Sequence, residues 1–233
     1  MNGLITEEVA HIRGNPQKLI IFLHGYIDNC ECLSHRIEPF IDSFENTALH
    51  LPEAPLPCEI HESKRQWFSM HRFDPDDARK IVPTLDECLK IYESMGLGFE
   101  ESFQYLNRYI DNCLDLYQLE SKDLYLCGFS QGAMLAVYTA LRREETIGGC
   151  ISFSGLLAAS RIFKKHKPST PPMLLIHGTA DNLVRYGVQE YSAQKLRSYG
   201  CAVETYTVAD GQHRITEDGM KTAKSFIDSL SAK

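Results

Sequence analysis

Gly128-Phe129-Ser130-Gln131-Gly132 sets a serine between two glycines, each two residues away. An apolar run, Asp123–Cys127 (DLYLC), precedes it, and a good helix former, Gln131–Arg142, follows. G-x-S-x-G between a strand and a helix is a setting in which serine becomes a nucleophile. So tight a turn forces the serine into a strained backbone conformation, and side chains at the flanking positions would collide. The turn lifts the hydroxyl clear of the sheet. It also aims the first amides of the next helix at whatever the serine attacks. The bland reading is a small-residue turn whose serine only caps a helix.

A serine hydroxyl is weak at neutral pH and needs a base. Of nine histidines, His213 follows the last expected strand on a polar loop, Asp210-Gly211-Gln212-His213. His24 and His177 also end strands, but each precedes a glycine, so they are expected to shape the strand exits by hydrogen bonding. The base in turn needs an acid to orient it and to stabilise the imidazolium. Asp181 follows the penultimate strand, in Gly178-Thr179-Ala180-Asp181. Asp210 and Asp218 lie nearer to His213 in sequence, but a residue on the same loop seldom points back along the imidazole. Ser130, Asp181 and His213, each after a successive strand, follow the chain order of an α/β-hydrolase. Acyl transfer also needs donors for an oxyanion. The backbone N–H of Gln131 is one. The loop after the first buried strand supplies the other, with Tyr26 N–H preferred and Ile27 next.

These residues need a scaffold of alternating elements. Lys18–Leu23 (KLIIFL) and Thr47–Leu51 read as strands buried on both faces. Further strands are expected at Asp123–Cys127, Cys150–Phe153, Pro172–His177 and Ala202–Val208. Helical spacing marks Leu33 to Phe44, with a break near Pro39. It also marks Phe99–Tyr117, Gln131–Arg142, Tyr186–Tyr199 and Thr216–Leu230, while residues 53–82 read as irregular. Strands alternating with helices predict one α/β domain over residues 1–233, a mostly parallel central sheet with helices on both faces. Function then gathers at the carboxyl ends of the strands, where the serine, acid and base stand.

The 233 residues suffice for one sizeable core. A 43% hydrophobic and 24% charged composition excludes a disordered chain. A net charge of −7 without a basic run argues against nucleic acid and against an anionic membrane surface. The apolar run Leu19–Leu23 is far short of the roughly 20 residues that span a bilayer. Glu7 and Glu8 stand where a signal peptide would be positive and then apolar. With eight scattered cysteines read as reduced thiols, a cytoplasmic protein is expected. Cys30, Cys32 and His35 fall short of the four well-spaced ligands of a structural zinc site, so no metal and no cofactor is expected.

The chain resembles the phospholipase/carboxylesterase family of α/β-hydrolases, the one that contains the acyl-protein thioesterases. The resemblance rests on LHGY at 23–26, LPEAPLP at 51–57, Trp67-Phe68, GFSQGA at 128–133, Ser154-Gly155, HGTAD at 177–181 and GQH at 211–213. It implies an α/β-hydrolase fold with Ser130, Asp181 and His213 as nucleophile, acid and base, and Tyr26 and Gln131 as oxyanion donors. It also implies a carboxylic ester, lysophospholipid or fatty-acyl thioester as substrate. Two positions depart from the family's pattern. Ile27 stands where a small residue is usual, and Arg214 beside the base would disfavour the imidazolium or favour an anionic substrate.

Leu56, Trp67, Phe68, Met70 and Phe73 lie in the irregular stretch and form the expected acyl-binding wall or lid. Covering a sheet edge is their plainer use. The sequence thus predicts a serine hydrolase acting on a small or lipid-like acyl ester or thioester. Two rivals are a non-catalytic binding module of the same fold and a serine peptidase. A homodimer through the face bearing the active-site loops is also open.

Overall fold

The computed structural model describes residues 8–231. The acidic N-terminal stretch read above falls partly outside them, at Glu7. Nine strands occur among the described residues: β1 (Glu8–Arg13), β2 (Lys18–Leu23), β3 (Thr47–Pro52), β4 (Leu56–Cys58), β5 (His61–Gln66), β6 (Leu124–Phe129), β7 (Gly149–Phe153), β8 (Met173–Gly178) and β9 (Val203–Val208). Seven form one sheet in the order β1-β3-β2-β6-β7-β8-β9. Only β1 runs antiparallel to its neighbour; the other pairs are parallel. The remaining two, β4 and β5, pair as an antiparallel hairpin.

The helices are α1 (Cys30–Arg36), α2 (Glu38–Ile41), α3 (Met70–Phe73), α4 (Ala78–Ile81), α5 (Leu85–Ser94), α6 (Gly96–Tyr117), α7 (Gln131–Arg142), α8 (Gly187–Tyr199) and α9 (Glu217–Ser231). Alternation along β2 divides the interior. Leu19, Ile21 and Leu23 join the core under α5, α6, α7 and α8. Ile20 and Phe22 join the one under α1, α2 and α9. A strand buried on both faces reads as a continuous apolar run for this reason. Trp67, the single tryptophan, is fully buried in the first core.

The helix expected over 33–44 is split at Ile37, and Pro39 lies in the first turn of α2, where its missing N–H costs nothing. Residues 53–82 are more ordered than their composition indicates, since they hold the hairpin and the short helices α3 and α4. β5 (HESKRQ) is largely exposed, so no alternation of apolar residues marks it. The edge strand β1 likewise lacks a strong apolar stripe. No helix among the described residues is long and apolar enough to cross a membrane.

Candidate active site

Ser130 stands alone between β6 and α7, with φ 53° and ψ −118°. A non-glycine residue at positive φ is uncommon and stores strain. Packing on both sides holds it there. Its N–H donates to Phe153 O at 2.9 Å, and its carbonyl accepts from Met134 N–H at 3.0 Å. The flanking glycines are required by close approach. A Cβ on Gly128 would lie 2.4 Å from Gly132 O, and one on Gly132 would lie 2.3 Å from His24 O. The start of α7 therefore rests directly on the exit of β2, which pairs Leu23 with Gly128. That crossing brings Gly25 and Tyr26 to the serine; a Cβ on Gly25 would lie 3.5 Å from Ser130 Cβ.

The β2 exit is pinned by buried polar groups. His24 is fully buried. Its Nδ1–H donates to Gly25 O at 2.8 Å, and its Nε2 accepts from Ala54 N–H at 3.0 Å. Trp67 Nε1–H donates to His24 O at 2.9 Å. Ile27 has φ 57°, a left-handed conformation that is costly for a β-branched residue. This explains why a small residue suits the position.

His213 and Asp181 meet across two loops. His213 Nδ1–H donates to Asp181 Oδ2 at 2.7 Å, which leaves Nε2 free to take a proton. The loops are held together by Ala180 N–H to Gly211 O at 2.9 Å and Thr179 N–H to Val208 O at 3.0 Å. Asp181 Oδ1 accepts from Leu183 N–H and Val184 N–H, both at 2.9 Å. His177 Nε2 lies 3.3 Å from Asp181 Oδ2 and 2.8 Å from Val184 O. Burial alone would raise the Asp181 carboxyl. The hydrogen bonds from His177, His213 and Val184 outweigh it and hold the group well below the usual carboxylate range. His177 therefore stabilises the Asp181 carboxylate as well as shaping the strand exit, a contact its place before Gly178 did not reveal. Asp210 makes no such contact; its N–H donates to Thr179 Oγ1 at 2.8 Å.

Ser130, His213, Tyr26 and Gln131 all line one cavity of about 270 Å³. Among the described residues no hydrogen bond yet joins Ser130 Oγ to His213. Met70 is on the cavity wall, together with Tyr92, Met134 and Val184. Ile27, Ile60 and Leu183 form an exposed apolar rim.

Four of the expected acyl-wall residues are placed elsewhere. Trp67 and Phe68 are buried beneath the turn that carries Ser130. There, Gln131 Oε1 accepts from Trp67 N–H at 3.0 Å and Gln131 Nε2–H donates to Phe68 O at 2.8 Å. They fix the turn instead of facing the cavity. Phe73 packs edge-on against Phe68 at 6.5 Å, and Leu56 sits half-buried on the hairpin opposite Gln66; neither lines the cavity. Arg214 is exposed and also off the cavity wall. Polar residues of the 71–80 stretch, Asp74 and Arg79 among them, line the cavity in their place. No apolar pattern in the sequence could have marked these. Among the described residues no group of three or more His, Cys, Asp or Glu could hold a metal ion.

Comparison with known proteins bears on the whole of this architecture. The family model described as Phospholipase/Carboxylesterase matches residues 5–231. A probable carboxylesterase of Oryza sativa subsp. japonica is 31% identical over 229 residues, covering 91% of this chain and 88% of that one. An acyl-protein thioesterase 1 of Debaryomyces hansenii is 24% identical over 247 residues, covering 100% of both chains. Among solved structures, that of esterase PE8 superposes with a TM-score of 0.83 at 28% identity, over 96% of this chain and 97% of that one.

Proposed function

The chain belongs to the phospholipase/carboxylesterase family and is an ester or thioester hydrolase, and we propose that it works through an acyl-enzyme on Ser130. The observation that carries this reading is the 2.7 Å bond from His213 to a buried Asp181, at a cavity whose wall also holds the strained Ser130.

Ser130 Oγ attacks the acyl carbon while His213 Nε2 takes its proton. Asp181 keeps the proton of His213 on Nδ1 and stabilises the imidazolium that forms. The backbone N–H groups of Tyr26 and Gln131 bind the developing oxyanion. His213 then returns its proton to the leaving alcohol or thiol, and the C–O or C–S bond breaks. Water, deprotonated by His213, attacks the acyl-enzyme and releases the acid and free Ser130. The mechanism consumes one water per bond cleaved and calls on no cofactor.

Intact mass after treatment with a fluorophosphonate tests the assignment. One adduct on the wild type and none on Ser130→Ala is the expected result, with ester hydrolysis by the variant down at least about 10⁴-fold. A Ser130→Ala variant that hydrolyses esters at the wild-type rate would sink the reading. Faster cleavage of peptides than of esters would move the substrate class to amides.

A further inference from the structure

One end of the cavity is apolar only in part, because a buried arginine forms its wall. Arg79 is 7% exposed, lies in α4 and lines the same cavity as Ser130. Two carboxylates hold it. Arg79 Nη1–H groups donate to Asp74 Oδ2 at 2.6 Å and to Asp77 Oδ1 at 2.7 Å. Asp74 is itself buried and is fixed by Ala78 N–H at 2.7 Å. Lys80 pairs with Asp77 at 2.8 Å, so the cluster sums to zero charge.

That arrangement spends one nitrogen of the guanidinium. Nη1 has two hydrogens, and both are engaged. The edge formed by Nε–H and Nη2–H has no carboxylate or carbonyl acceptor among the described residues, and the Tyr92 hydroxyl lies within hydrogen-bonding reach of the guanidinium. Two parallel N–H groups on that edge match the two oxygens of a carboxylate. Tyr92 is 1% exposed, lines the same cavity and lies beside Arg79. Its hydroxyl donates to no protein acceptor among the described residues. Burial, chiefly, raises the Tyr92 hydroxyl above its ordinary range, so it stays a donor at neutral pH.

An apolar acyl tail seated against this wall would desolvate those donors without pairing them, at a cost of about 1–3 kcal/mol for each group. A tail ending in oxygen would satisfy them. The cavity, at about 270 Å³, is also small for a long chain. We propose that the preferred substrate is a short ester carrying a carboxylate, bound by the free edge of Arg79 and the Tyr92 hydroxyl. Selection is by the donor geometry and not by net charge, since Asp74 and Asp77 already balance Arg79 and Lys80. This proposal rests on Ser130 being the nucleophile of the same cavity.

The test compares kcat/KM for matched pairs of esters. Monoethyl glutarate and ethyl pentanoate differ only at the far end of the acyl chain, carboxylate against methyl. The acetate ester of 3-hydroxypropanoate and propyl acetate make the same comparison on the alcohol side. The wild type is expected to prefer the carboxylate partner in one pair by about 10- to 100-fold, the worth of one or two hydrogen bonds to a charged group. The pair that shows the preference identifies the side of the bond that carries the carboxylate. Tyr92→Phe, which removes one oxygen, is expected to lower that ratio at least threefold. Arg79→Lys, which keeps the charge but loses the fork, is expected to lower it about tenfold. Should Arg79→Lys fail to fold, Tyr92→Phe carries the test alone. Ratios at or below one in both pairs, from protein whose Ser130 is labelled by fluorophosphonate, overturn this inference and leave the hydrolase reading intact. Ratios that neither variant moves also overturn it. Absence of the label, with no ester cleaved, removes the serine mechanism and this inference with it.

Discussion

At the scale of single residues, Asp181 carries more of the candidate site than its one bond to His213. It accepts from two backbone amides and from His213, and His177 lies within 3.3 Å. Asp181→Asn would reverse a donor–acceptor pair on His213 Nδ1 and favour the wrong tautomer. A fall in kcat of about 10⁴-fold is expected, with the fluorophosphonate adduct forming correspondingly slowly. The same carboxylate makes stability depend on pH. Its folded value is held below that of the unfolded chain, so it stabilises the fold above the ordinary carboxyl range. This contribution is lost as pH falls from about 4 toward the lower folded value. Urea titrations of wild type and Asp181→Asn should therefore converge below about pH 4. A difference in stability that is constant from pH 7 to 3 would contradict this account. Ser130, Asp181 and His213 were legible because each sits where a strand ends beside glycine or polar residues. Arg79 and Tyr92 were not, since a buried ion pair and a buried tyrosine look like any charged loop and helix until the chain is folded.

The element scale turns on two backbone contacts. Gly132 carries the start of α7 across the exit of β2, with His24 O and Leu23 O in the space a Cβ would take. Both obstacles are backbone, and neither can move without shifting the sheet. Gly132→Ala is expected to destabilise by about 1–3 kcal/mol, read as a lower urea midpoint with an unchanged slope. The same shift would displace the Tyr26 amide, so kcat should fall at least tenfold in the protein that still folds. Ile27 presents the opposite case. Its left-handed backbone costs about 1–2 kcal/mol, which glycine relieves against roughly 0.5–1 kcal/mol of added chain entropy. Ile27→Gly is expected to hold or raise the melting temperature, and a clear drop would show that its exposed side chain contributes more than its strain removes. The β2, β6 and β8 strands could be read because burial on both faces leaves a continuous apolar run. The hairpin of β4 and β5 could not, because its polar face looks like loop.

For the molecule as a whole, the two cores share one sheet, and six of the eight cysteines lie in them. All eight are free thiols, and Cys32 alone is not buried. Burial raises the thiols of Cys127 and Cys150, which are closed off within the sheet, well above their ordinary range. Iodoacetamide at neutral pH is therefore expected to add once to the native protein and eight times after unfolding in urea, as counted by intact mass. Two or more rapid additions to folded protein would show that a core opens. Local pattern by itself determined the alternation of strands and helices and the G-x-S-x-G turn. Those features are written in nearest neighbours, since a glycine spacing or a doubly buried strand constrains residues only a few positions apart. The tertiary structure alone decided what surrounds the reacting atoms. Trp67 and Phe68 are apolar and were expected to wall the site, yet Gln131 draws their backbone beneath the turn and their rings lie in the core. Arg79, charged and without any apolar pattern around it, lines the cavity with Asp74 and Asp77 pairing its guanidinium there. Burial of a charge depends on partners that only the folded chain assembles.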